Sequence, residues 1–276
     1  MIALAGLLLL FVGADGAPYA NSAAIFELGS SGRALGMGGA FLALADDESA
    51  AFYNPAGLGF LHGIGLSSLY ARQFDALNYA AIGFTVPYFG VTVLQLDSGW
   101  IETAEAGFRY TSRAGILSAG FSIGPIGLGG RFKLYRVAEP YSASGWAFDP
   151  ALLIVTDIVR IGLLLENGYA QAIEFADGHT EAWERRVRLG IAATIVPSEG
   201  VHLNAVVEGA GLFSTHPQFC AGLEAEIGAL AARFGYDGAG VTFGLAVRFA
   251  SFQVDLAYAT PEILPDSYRL SLTYRF

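Results

Sequence analysis

The sequence predicts an all-β fold: an antiparallel transmembrane β-barrel of about 14 strands with an N-terminal plug. Three observations predict it. Apolar and polar residues alternate with a period of two along most of the chain, the connections between these stretches are alternately tight and longer, and charge is scarce. Of 276 residues, 54% are hydrophobic and 14% charged, against about 25% charged in an average soluble domain. The net charge of −10 and the lack of Lys/Arg clusters exclude a nucleic-acid partner. Cys220 has no internal disulfide partner, and His62, His179, His202 and His216 share no metal-ligand spacing, so neither a metal nor another cofactor is expected.

At the N-terminus, Ile2–Val12 is an apolar run followed by the small-residue stretch Gly13–Ala17. A membrane-spanning helix needs about 20 apolar residues. The shorter run fits the h-region of a secretory signal peptide cleaved between Ala14 and Ala20, with no Lys or Arg before Arg33 to form a basic n-region. The expected organisation is a signal peptide over 1–19, a plug over 20–61 and a barrel over 62–276.

The plug segment carries Gly32, Arg33, Gly36, Gly38 and Gly39, then Asp46 and Asp47, then Asn54, Pro55 and Gly57. Glycines permit close backbone approach, and Asn-Pro initiates a turn. A phosphate loop is excluded because no apolar strand precedes these glycines and no Lys-Ser/Thr follows. Asp46, Asp47 and Glu48 read as a solvated turn or as partners of the wall. Arg33 is expected to pair with an acid inside the barrel such as Glu224 or Asp255, because an unpaired buried charge is costly.

The strands are expected at 63–72, 77–87, 90–97, 109–123, 126–138, 145–156, 158–168, 185–197, 200–211, 217–228, 229–237, 239–249, 251–260 and 267–276. Near the C-terminus, Phe252, Val254, Leu256 and Tyr258 alternate with Ser251, Gln253 and Asp255. A one-residue slip turns every side chain to the other face. A charge at mid-membrane costs about 2–4 kcal/mol, so the charged face must look inward. The expected lumen lining is Arg186, Arg188, His202, Asn204, Glu208, Glu224, Glu226, Arg233, Arg248, Asp255 and Arg275. The third, fourth and sixth strands alternate poorly; Val91, Val93 and Gln95 share one face. Tyr70, Tyr88, Trp146, Trp183, Tyr236, Phe249, Tyr258 and Tyr268 lie near strand ends, as interfacial girdles require. Asp97–Phe108 and Tyr169–Arg185 are expected to be the longest outer loops.

No catalytic constellation emerges, so the chain is not read as an enzyme. His202, Asn204 and Glu208 share a strand face beside Glu224 and Glu226, which reads as a hydrated network rather than an acid/base site.

The segments Gly32–Phe41, Ala45–Asp47 and Tyr53–Leu58 resemble the N-terminal signature of PorV/PorQ-like outer-membrane proteins, relatives of the FadL-type long-chain fatty-acid transporters. Phe252–Tyr258 and Tyr268–Phe276 resemble their last strands. Leu270, Leu272, Tyr274 and the terminal Phe276 resemble the signal read by the outer-membrane assembly machinery. The resemblance covers both ends of the chain, and the middle only as strand pattern. It implies the bacterial outer membrane, a hatch folded inside the barrel, and outer-membrane lipids and the assembly machinery as partners. It also implies passive transport of fatty-acid-like or aromatic molecules, or, as the alternative, a non-conducting barrel holding cargo for a secretion system of type IX kind. The expected outer loops are shorter than the transporters' and acidic (Glu102, Glu105, Glu174, Asp177, Glu181, Glu184). In those transporters a kink in the third strand opens the wall, and 90–97 is the matching place here.

Overall fold

The computed structural model describes residues 23–73, 77–102, 107–139, 142–214, 217–261 and 266–276. The alternating segments form one closed antiparallel barrel of 14 strands. The expected signal peptide lies outside the described residues. The strand segments are β1 (Gly65–Gln73), β2 (Leu77–Val86), β3 (Phe89–Glu102), β4 (Gly107–Ile123), β5 (Ile126–Glu139), β6 (Ala143–Val155), β7 (Val159–Glu166) and β8 (Tyr169–Phe175). They continue as β9 (Thr180–Glu181), β10 (Arg186–Ser198), β11 (Val201–Ala210), β12 (Gln218–Ile227), β13 (Leu230–Tyr236), β14 (Gly240–Phe249), β15 (Phe252–Pro261) and β16 (Ser267–Arg275).

β1 closes on β16, from Gly65 opposite Arg275 to Arg72 opposite Tyr268. β6 is bordered by β7 over Ala151–Val155 and by β8 over Ala143–Phe148. β7 and β8 are thus one wall strand broken at 167–168, where Asn167 takes a φ of 55°. β9 and β10 return beside them, which reduces the segments to the strands of the wall.

Two expected outer loops are replaced by strand. β3 runs on to Glu102 and β4 starts at Gly107, while 169–185 carries the β8–β9 hairpin. Both stretches are polar at their tips, which hides the pairing that lengthens them.

The wall presents its apolar side outward: Leu223, Leu245, Val254, Leu256, Leu270 and Leu272 are exposed, whereas Glu224, Arg233 and Asp255 are buried inside. Toward the outer ends of β1–β5, however, much of the inward face is also apolar, above a polar belt that includes Thr85, Thr92, Ser118, Arg131 and Asp149. Leu69, Tyr79, Leu94, Leu96, Ile116, Tyr135 and Val137 point in and are buried. This explains the poor alternation of the third and fourth strands: Val91 and Val93 face outward while Leu94 and Leu96 face a greasy chamber. Trp183 also departs from expectation. It is buried rather than interfacial, with its ring 6.2 Å from that of Tyr135.

Residues 23–61 fold inside the barrel through a 3-10 turn (Ala24–Glu27), the short helices α1 (Gly32–Gly36) and α2 (Ala50–Tyr53), and a second 3-10 turn (Pro55–Phe60). Helices of one turn have no stability of their own in water, so their conformation is held by the wall. Asn54 illustrates the local logic. It is extended (φ −150°), as a residue before proline prefers, and its Oδ1 accepts from Ala56 N at 3.1 Å.

Candidate functional site

The lumen and the segment that fills it form the candidate site. A barrel of about 8 strands can be filled by its own side chains, whereas 16–18 strands leave an aqueous channel. The intermediate strand number leaves room for a chain segment, and the segment's backbone docks directly against the wall. Gly222 makes this possible at one point, since a Cβ there would stand 2.5 Å from Met37 O. Gly129 does the same opposite Pro55–Ala56, where a Cβ would lie 2.5 Å from Ala56 N. Gly38 N donates to Thr242 Oγ1 at 2.9 Å, and Phe41 N and Leu42 N both donate to Glu208 Oε2, at 3.1 and 3.0 Å. Asn54 Nδ2 donates to Leu42 O at 2.9 Å, tying the two halves of the segment together.

Arg33 is the electrostatic anchor. Its guanidinium lies 2.7 Å from Glu224, 2.6 Å from Asp46 and 3.0 Å from Asp47. Of the two acids expected from the sequence, Glu224 is the partner; Asp255 instead pairs with Arg233 Nη1 at 2.8 Å. Arg233 Nε also reaches Glu224, at 2.6 Å, and Asn204 Nδ2 donates to Glu224 at 2.8 Å. Glu48 accepts from Arg275 at 2.7 Å. The acidic triplet is therefore spent on ion pairs with Arg33, Arg160 and Arg275.

The remaining expected lumen residues form two further groups. Arg188 bridges Glu166, at 2.9 Å, and Glu208, while Arg186 joins Glu166 to Glu27 of the first turn. Arg248 pairs with Glu226. His202 stands on the same strand face as Asn204 but is exposed, next to the 199–200 turn. Leu270, Leu272 and Phe276 are exposed on the outer surface, and Phe276 N donates to Ile64 O at 3.0 Å.

A further network has no counterpart among the residues expected from the sequence. Asp149 accepts from Arg131 Nε at 2.7 Å and from Lys133 at 2.8 Å, and Lys133 also donates to Asn167 at 2.6 Å. Arg131 further donates to Phe52 O of α2. The available signal was Arg131 and Lys133 at i and i+2, one face of a strand otherwise flanked by glycine and leucine.

Charge in the N-terminal segment is tuned by these neighbours. Burial works against the Arg33 cation, but Asp46 and Glu224 outweigh it and raise its pKa. Burial pushes Asp46 up, only partly offset by Arg33. Asp47 resists the same burial because Arg33 and two hydrogen bonds from Ser49 hold it below the usual range. On acidification Asp46 therefore takes its proton first, which relieves a cost. Asp47 contributes stability that is complete above its unfolded pKa of about 4 and is lost as pH falls through its lowered value. Pepsin digestion of the protein in vesicles is expected to leave 23–61 intact near pH 5 and to cut it only well below pH 4. Asp47→Asn should bring cleavage to higher pH; identical profiles would show that Asp47 does not hold the segment.

The first turn occupies the apolar chamber. Ile25 is buried, and the Phe26 ring lies 5.9 Å from Trp183 and 6.3 Å from Tyr135. Tyr79 OH donates to Gly29 O at 2.6 Å. Beside Ser30–Ser49 there is a polar cavity of about 10 Å³, also lined by Ser67, Gln253 and Asp255, about the size that one water requires.

No family model and no curated protein matches the chain. Solved structures do. The toluene transporter TodX of Pseudomonas putida superposes with a TM-score of 0.60 at 12% identity, covering 90% of this chain and 98% of that one. CymD, a monoaromatic hydrocarbon channel, gives 0.59 at 13% identity with the same coverage, 90% and 98%. At such identities the likeness establishes the fold. A closed, even-numbered antiparallel wall, apolar outside and charged within, is the architecture of the bacterial outer membrane. The protein is an outer-membrane β-barrel. Its β2–β3 ladder is unbroken from Val86–Phe89 to Asn78–Asp97, so the wall has no gap along 89–97. Only at Asp97–Trp100 does the β3–β4 register shift, and there Asp97 pairs with Arg109 and Tyr110 N donates to Ser98 Oγ at 2.9 Å.

Proposed function

We propose that the barrel passively conducts small hydrophobic molecules, fatty-acid-like or aromatic, across the outer membrane. The observation that carries this reading is the outer half of the chamber lined by Leu69, Tyr79, Leu94, Leu96, Ile116 and Tyr135, mainly apolar where a water-filled pore would be polar, with the Lys133 ammonium at its edge 5.2 Å from the Phe26 ring. Ile25 and Phe26 hold the place of a ligand there, while the deeper segment keeps the lumen closed to water. A molecule displacing the first turn leaves, driven by its own gradient, where release of the Asp97–Arg109 pair and the Tyr110–Ser98 hydrogen bond opens the β3 bulge. The likeness to the toluene transporter and the hydrocarbon channel, and the resemblance of the chain's ends to the FadL and PorV/PorQ groups, support the reading. Proteoliposomes are expected to take up toluene or oleate faster than empty vesicles, and Phe26→Ala should increase the rate. No uptake by either form would overturn the proposal.

The filled lumen and the unbroken wall favour a second reading, a PorV-like non-conducting barrel that holds cargo for secretion. Co-purification with secreted proteins, together with absent uptake, would select it.

A further inference from the structure

The outer surface carries a feature that conduction does not use. On β4 the outward side chains from the periplasmic turn upward are Ile123, Phe121, Ala119, Leu117 and Gly115, and the next is Arg113. On β5 they are Ile126, Leu128, Gly130, Phe132 and Leu134, and the next is Arg136. Ten residues of tilted strand rise about 25 Å, the height of the apolar band, so both arginines stand at its outer edge.

The register sets Arg113 directly opposite Arg136, and Arg136 opposite Ser144. Like charges facing each other across a strand pair are destabilising. Both arginines are exposed, and neither has an ion pair or hydrogen bond among the described residues. A carboxylate, Glu174, also lines the groove but pairs with neither arginine; it accepts from Gln171 Nε2 at 2.9 Å, and Trp146 Nε1 donates to Gln171 Oε1 at 2.6 Å. Below the arginines, Gly115, Leu134 and Trp146 floor an open groove of about 450 Å³. The missing side chain at Gly115 lowers that floor, with nothing within 4 Å of where its Cβ would be.

We propose that this groove binds the phosphate of a phosphorylated glycolipid of the outer leaflet, gripped by Arg113 and Arg136, with an acyl chain over Gly115 and Leu134. The chemistry selects the occupant. Two planar guanidinium forks match phosphate oxygens bidentately, an anion between them cancels their repulsion, and their depth is that of lipid headgroups. Trp146 supplies the amphipathic ring typical of that level. A carboxylate from another protein would meet the charge but leave the apolar floor uncovered.

The test is native mass spectrometry of the detergent-solubilised full chain with a bis-phosphorylated lipid A, its dephosphorylated form and phosphatidylglycerol. Wild type is expected to retain the bis-phosphorylated lipid over the dephosphorylated one by roughly tenfold or more, the scale of charge-assisted hydrogen bonds. Arg113→Gln/Arg136→Gln should abolish that preference, and Arg113→Lys/Arg136→Lys should keep part of it. Because these side chains face lipid, both variants should keep the heat-modifiable folded band on gels. An unchanged preference in the glutamine variant would overturn the proposal, as would equal retention of phosphatidylglycerol by wild type.

Discussion

Deleting residues 32–60 is expected to turn a barrel that is silent in planar bilayers into one passing ions in discrete steps. The wall closes through its own ladders and does not need the segment for pairing, whereas the lumen does need it for filling. Once it is gone, Arg131, Lys133, Arg160, Arg186, Arg188, Arg233, Arg248, Arg269 and Arg275 face Asp149, Glu166, Glu208, Glu224, Glu226 and Asp255 across water. Cations still outnumber carboxylates when Glu27 is counted, because the deletion takes away Asp46, Asp47 and Glu48 against Arg33 alone. The reversal potential in a salt gradient should therefore report anion selectivity. A gentler variant, Gly120→Val, places a side chain against Pro55 O and should produce a smaller leak with the segment still present. Silence in both variants, or cation selectivity in the first, would show that the segment is not the seal.

The barrel was legible because most strands obey one rule, greasy outside and charged inside. Along β10–β16 that rule follows from Glu224, Arg233 and Asp255 lying two residues apart from their inward neighbours. It weakened where the interior is itself apolar: Leu94, Leu96 and Ile116 carry no sign of facing inward, since hydropathy cannot tell lipid from a chamber lined by Tyr79 and Tyr135. Trp183 was misplaced for the same reason. The choice of Glu224 over Asp255 for Arg33 was not legible either. Both acids occupy inward positions on the wall, and only the register, which sets Glu224 opposite Arg233, decides how they are shared. The Arg113–Arg136 pair is not legible in the sequence, because these residues stand 23 positions apart and become neighbours only through the β4–β5 register.

Glu224 is where the largest loss of stability is expected. Its buried carboxylate receives Arg33 Nε at 2.8 Å and Nη2 at 2.7 Å, Arg233 Nε at 2.6 Å and Asn204 Nδ2 at 2.8 Å. Four donors saturate its lone pairs, and one of the cations belongs to the N-terminal segment while the other belongs to the wall. Glu224→Gln keeps the shape but leaves two buried guanidiniums short of an anion, a change that typically costs about 3–5 kcal/mol. Arg33 retains Asp46 and Asp47, and Arg233 retains Asp255, so the loss should fall toward the lower end of that range. Arg33→Met removes the segment's half of the link, and the double variant should lose less than the two singles together, with a coupling of about 0.5–3 kcal/mol. Urea unfolding in lipid vesicles, followed by tryptophan emission, measures all three. A Glu224→Gln variant within about 1 kcal/mol of wild type would mean that the carboxylate is not what joins segment to wall.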